Sequence, residues 1–223
     1  MKILLDTNVW RRLRQKELSD LYTALLQSKY EVFLSETVFT LEAVPKKDRL
    51  NFFQNIKTES LKINPYLSKA LEETKQLGIK ILRTPRIGMF QNDDLPDEVF
   101  YKDADVHERM ERIGKLSRHF DNAGFNRLVN FVSGLNIGEP WQANMHKISE
   151  VHAEDFARHV AEWADGDTAA ACYGYNLDLI CTHDGQSNMS SDAIFSLPNR
   201  QILSAEFGVQ IKSADELTCL LAN

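Results

Sequence analysis

Asp6 stands directly after the apolar run Ile3-Leu4-Leu5, in the opening stretch MKILLDTNVW. An unbroken apolar run suits a strand covered on both faces of a parallel sheet. A carboxylate at the end of such a strand is costly unless it is paired or binds metal. Ligands of open α/β sheets also gather outside the carboxyl ends of the strands. Asp6 is therefore either the N-cap of the following helix, a role for which Asp, Thr and Asn are all suited, or part of a site. A second apolar strand, LDLICTHD, sets Asp184 just past its own end. Parallel strands would bring Asp6 and Asp184 to one edge and one crevice. Two further acids have helical settings that lead there: Glu42 after the second strand, and Asp167 at the head of DTAAACYGY. Carboxylates collected in one place repel one another. A hard divalent cation with oxygen ligands, Mg2+ or Mn2+, resolves that conflict. Such ions serve phosphoryl and phosphodiester chemistry by orienting and acidifying water and by offsetting charge on the attacked group.

The elements that must position these acids follow from pattern. Residues 9–28 predict one helix with Leu18, Leu21, Leu25 and Leu26 on a side, and YEVFLS (30–35) predicts a strand. A helix through Glu42 should stop near Pro45, because proline disfavours the helical state before it. KKDRLNFFQNI reads as helical again, and NPYLSKALEETKQLG has a proline start and a glycine stop. IKIL (79–82) predicts a third strand, and residues 83–102, rich in Pro, Gly and acids, a loop. In residues 103–121, Val106, Met110, Ile113, Leu116 and Phe120 recur at helical spacing and need a partner surface. A second helix is expected over 125–135, a loop at GEPW, and a helix from 152 broken at Gly166 before the one headed by Asp167. The tail gives a strand, GVQIK, then Ser213 with Glu216 three residues on, a capping box that starts a last helix. Strands alternating with helices predict an α/β fold, a three-layer α/β/α sandwich with a mostly parallel sheet. The expected organisation is one domain over residues 1–223, with 83–153 as a helical insertion.

The chain has 223 residues and a formal net charge of −6, which argues against a general polyanion-coating protein but leaves room for a nuclease with clustered acids. Cys172, Cys181 and Cys219 are scattered, odd in number and without a CxxC, so reduced thiols in a cytoplasmic protein are expected. The apolar run before Asp6 is too short for a signal peptide, and no stretch is long enough to span a membrane.

Four segments in order carry a resemblance. ILLDTN, SETVFTLEAV, GDTAAAC and LICTHD, closed by GVQIKSADEL, resemble the PIN domain of metal-dependent nucleases over about residues 1–82 and 154–223. The resemblance implies Asp6, Glu42, Asp167 and Asp184 as catalytic acids, with Asp6, Asp167 and Asp184 as ligands of Mg2+ or Mn2+. It implies RNA as substrate, cut as an endoribonuclease cuts, with Asn8 and Thr182 on the substrate side; Arg11 of the first helix is placed with them as a candidate phosphate contact. The small VapC-type toxins of the family further imply an antitoxin partner and a homodimer. Residues 83–153 have no counterpart in those toxins, and the link YNLD lacks their usual glycine. Glu36 competes with Glu42, Asp165 competes with Asp167, and Asp192 is a candidate peripheral acid.

The rival reading from another class is a degenerate PIN-fold module that binds RNA or protein without cutting. A haloacid-dehalogenase-type phosphatase also opens with a strand and an Asp, but its second Asp would fall on Asn8. His183 beside Asp184 reads as incidental, and His152 and His159 lack an HExxH pattern for zinc. Arg11, Arg12 and Arg14 make either a solvated helix face or phosphate contacts.

Overall fold

The computed structural model describes residues 1–39, 44–55, 65–84, 95, 97–102, 105–135, 140–144, 147–183 and 193–222. Expectations placed on Glu42, on most of the 83–102 loop, and on Asp184 and Asp192 lie outside the described residues.

Within them, β1 (Lys2–Leu5), β2 (Glu31–Ser35), β3 (Lys80–Leu82), β4 (Leu179–Cys181) and β5 (Gln210–Lys212) form a five-stranded sheet in the order β3-β2-β1-β4-β5. Every pairing is parallel; Leu5 stands opposite Leu34 on one side and Cys181 on the other. Successive side chains of a strand point to opposite faces, and the core divides accordingly. Ile3, Leu5, Val32, Leu34, Ile81, Leu179 and Cys181 join one buried cluster. Leu4, Phe33, Leu82 and Ile180 join another. The first cluster is closed by α1 (Thr7–Arg14), α2 (Ser19–Gln27), α4 (Pro65–Gln76) and α10 (Ala214–Leu221). The second is closed by α5 (Val106–Phe120), α8 (Ala153–Gly174) and α9 (Leu197–Phe207). The sheet is thus covered on both faces, as its unbroken apolar strands require.

A third cluster lies beside these. Leu50 and Phe53 of α3 (Arg49–Asn55), Leu128 and Val132 of α6 (Phe125–Gly134), and Phe156, Val160 and Trp163 of α8 pack together. Buried Arg49 ties this layer to α8 by donating from Nη1 to the Ala157 carbonyl at 3.2 Å. A four-residue helix, α7 (Trp141–Asn144), stands where a loop was expected after GEP.

Several boundaries differ from expectation. The helix expected over 9–28 is two helices. α1 ends in a Schellman turn: Lys16 N–H donates to the Leu13 carbonyl (3.0 Å) and Glu17 N–H to the Arg12 carbonyl (2.9 Å), with Lys16 left-handed at φ 61°. The same turn ends α4 at Gly78 and α8 at Asn176, where Leu177 N–H reaches the Cys172 carbonyl at 2.9 Å. Asn176 therefore fills the place of the glycine missing from YNLD. The break expected at Gly166 is absent, and α8 runs through it for 22 residues. In α5, Ile113, Leu116 and Phe120 are buried as the stripe predicts, but Val106 and Met110 are exposed. α9 was not foreseen, although Ser196, Pro198 and Gly208 mark its start and stop.

Candidate functional site

The order β3-β2-β1-β4-β5 sends the chain outward from β1 in one direction to β2 and in the other to β4. The crevice outside the carboxyl ends of β1 and β4 is the topological switch point, where open α/β sheets bind ligands. Asp6 follows β1 there and Thr182 follows β4. Asp6 N–H completes the ladder by donating to the Cys181 carbonyl at 2.9 Å. The chain then turns into α1 with Asp6 as its N-cap, Oδ1 accepting Thr7 N–H at 2.7 Å. The other oxygen, Oδ2, accepts the Thr182 hydroxyl at 2.7 Å. Cap and site readings of Asp6 are therefore compatible: one oxygen starts the helix and the other faces the crevice. Asp6 is 3% exposed and Thr182 2%. Asn8 bridges the two strand ends, donating from Nδ2 to Thr182 Oγ1 (3.4 Å) and accepting His183 N–H at Oδ1 (2.9 Å). The Asn8 bond orders the backbone one residue before Asp184.

The neighbouring strand end adds Ser35, Glu36 and Thr37, all buried. Glu36 Oε2 accepts Thr84 N–H at 3.2 Å, so its carboxyl reaches toward the end of β3. Burial pushes its pKa above the ordinary value, against the opposing pull of the Thr84 hydrogen bond and the Arg83 charge. Thr37 Oγ1 lies 3.5 Å from Thr168 Oγ1, which brings the middle of α8 to the same edge. Helical rise agrees: climbing the ~13 Å of a four-residue strand takes about nine helical residues, from Gly174 back to about Asp165.

The two acids of this region sit on different sides of α8. Asp165 is one turn from Thr168, and Cys172, one turn further, packs into the sheet-side core. Asp167 is turned away by two residues of helix and lines a small cavity with Ser117, Asp121, Phe125 and Trp163, against α5 and α6. A helix break at Gly166 would conceal this division, which follows from the continuous period of α8. An unbroken 3.6-residue period would have set Asp165 with Thr168 and Cys172.

Asp6, Asn8 and Thr182 thus come together. Asp167 is buried at 3% exposure. Arg11 is exposed. Its neighbour Arg12 is the arginine at the crevice, with Nη1 against the His183 ring, 2.8 Å from Nδ1 and 2.6 Å from Nε2. Among the described residues no group of three or more His, Cys, Asp or Glu is arranged to hold a metal. The donors at the β1–β4 edge are a carboxylate, a hydroxyl and an amide. The nearby thiol of Cys181 is pushed up to about 12 by burial and by the Asp6 and Glu216 charges, so it stays neutral. Oxygen donors of this kind suit a hard cation.

No family model, curated protein or solved structure matches the chain. No helix among the described residues is long and apolar enough to cross a membrane.

Proposed function

We propose that the chain is a PIN-like, Mg2+- or Mn2+-dependent endoribonuclease built on a three-layer α/β/α sandwich. The observation that carries this reading is the buried Asp6 carboxylate at the β1–β4 switch point, held by the Thr182 hydroxyl at 2.7 Å. Asp6 and Asp184 would hold the cation, with Glu42 completing the cluster. A fourth acid comes from α8. Sequence pattern gives that place to Asp167, whereas the face shared with Thr168 favours Asp165. The bound cation supplies positive charge for the attacked phosphodiester and a more acidic water. The chain's own residues do the positioning. Thr7 N–H and Thr182 Oγ1 fix the plane of the Asp6 carboxylate. Asn8 holds the start of the segment that carries Asp184. Burial lowers the local dielectric and strengthens any charge interaction made there.

The test is incubation of the purified protein with labelled single-stranded RNA and Mn2+, with and without chelator. Cleavage that needs the metal, and is lost in Asp6→Asn and Asp184→Asn, supports the reading. Metal-independent cleavage, or cleavage that survives Asp6→Asn, defeats it. RNA binding without cleavage would instead favour the non-cutting module.

A further inference from the structure

The basic residues of α1 have three different surroundings. Arg14 pairs with Glu73 of α4 and lies over the Trp10 ring, on the side away from the crevice. Arg11 is exposed. Arg12 contacts a residue of the crevice, His183. It lies one turn after Asn8 on the same face of α1, and helical side chains lean toward the N-terminus, here toward Asp6. Two contacts hold its guanidinium. Nη1 meets the His183 ring, and Nε donates to Glu17 Oε2 at 3.0 Å. The Schellman turn at Lys16 curls the chain back and so brings Glu17 within reach. Nη2, with its two N–H groups, has no partner among the described residues. Arg12 is 27% exposed and Glu17 51%, so this ion pair is wet and readily exchanged for a stronger anion.

We propose that Arg12 is the phosphate-positioning residue of the crevice. It takes a backbone phosphate of the substrate strand next to the one that is cut, with Glu17 and His183 holding the guanidinium in place beforehand. The proposal rests on the nuclease reading above for the identity of the strand. A guanidinium fork presents paired donors that match phosphate oxygens, and pre-ordering by Glu17 reduces the rotamer freedom lost on binding.

The experiment measures fluorescence anisotropy of a short fluorescein-labelled single-stranded RNA against salt concentration, with EDTA present, for the full chain and for Arg12→Ala, Arg12→Lys and Arg14→Ala. Arg12→Ala should weaken binding about tenfold. It should also make the slope of log affinity against log salt shallower by about 0.7, one phosphate contact on a single strand. Arg12→Lys should keep the slope and lose part of the affinity, and Arg14→Ala should match the parent protein. Equal slope and affinity for Arg12→Ala and the parent, or no RNA binding by the parent, overturns the proposal. Cleavage in Mn2+ is scored separately. Metal-dependent cleavage with unaltered Arg12→Ala binding removes the phosphate contact and leaves the nuclease reading. An altered slope without any cleavage does the reverse.

Discussion

Asp6 serves two structures at once, because its two carboxylate oxygens do different things. An amide keeps the cap, since Asn caps a helix about as well as Asp, and the Thr182 hydroxyl can rotate to accept where it had donated. Asp6→Asn should therefore change the melting temperature of the metal-free protein little. On the proposed function it should also abolish the stabilisation by Mn2+, expected for the parent to be about 2.7 kcal/mol at ~100 times the dissociation constant. Thermal melts with and without Mn2+ check this, and an undiminished Mn2+ shift in the variant would remove Asp6 from the ligand set. Glu36 makes a second prediction. Its folded-state pKa lies above the ordinary 4.5, chiefly through burial. Below 4.5 it is protonated in both states; as pH rises the unfolded chain ionises first, so its contribution to stability is lost up to and through the raised folded value. Glu36→Gln should flatten this part of the stability profile, and near neutral pH the variant should be at least as stable as the parent, as urea melts between about pH 4 and pH 8 would show. Asp6, Asn8 and Thr182 were legible because strand ends and caps announce themselves locally. Asp165 and Asp167 were not separable, since the choice depends on which side of a helix meets the sheet.

Two glycines of α8 should respond to alanine with opposite signs. At Gly166 a Cβ would meet Ile194 Cδ1 at an ordinary 3.6 Å. Gly166→Ala should thus stabilise the protein by about 0.5–1 kcal/mol through helix propensity. At Gly174 a Cβ would stand 2.3 Å from Ile113 Cγ1, with the Arg109 carbonyl behind it at 3.4 Å. Gly174→Ala should destabilise by roughly 1–3 kcal/mol by pushing α5 off α8, and Ile113→Ala should cost less stability in the Gly174→Ala background than in the parent. Chemical denaturation of the single and double variants gives both signs. The turn after α1 gives a further case. Lys16 holds a left-handed backbone that favours glycine, so Lys16→Gly should raise stability by about 1 kcal/mol in the same assay. These positions also explain the misread boundaries. Gly166 has the local look of a helix stop, but tertiary packing carries α8 through it, and a lysine stops α1 without any local sign of it. Where the signal was chemical rather than conformational, as at the Ser213–Glu216 capping box, the expected element is present.

Across the whole molecule, the parallel sheet and its double cover could be read from unbroken apolar strands separated by helices. That residues 103–135 form a helical pair packed on the core could be read as well, but not which surface the pair meets, because an amphipathic stripe names a buried face and not its partner. Ile113, Leu116 and Phe120 belong to the same cluster as Leu4 and Phe33 of the central strands, so this segment closes the core. Excision of residues 105–135 behind a short linker should yield a chain that binds ANS and lacks a cooperative melt; a cooperatively folded product would show the segment to be an accessory. The position of β1 at the centre of the sheet also has a consequence in time. Its two neighbours are β2, close behind it in the chain, and β4, and the Thr182–Asp6 hydrogen bond spans 176 residues. At a synthesis rate of about 5–20 residues per second, roughly 9 to 35 s separate the emergence of Asp6 from that of its partner. During that interval a nascent chain carries the first acid beside an open strand edge, and the crevice does not yet exist. Any activity that depends on it is silent until β4 has left the ribosome and slid in beside β1.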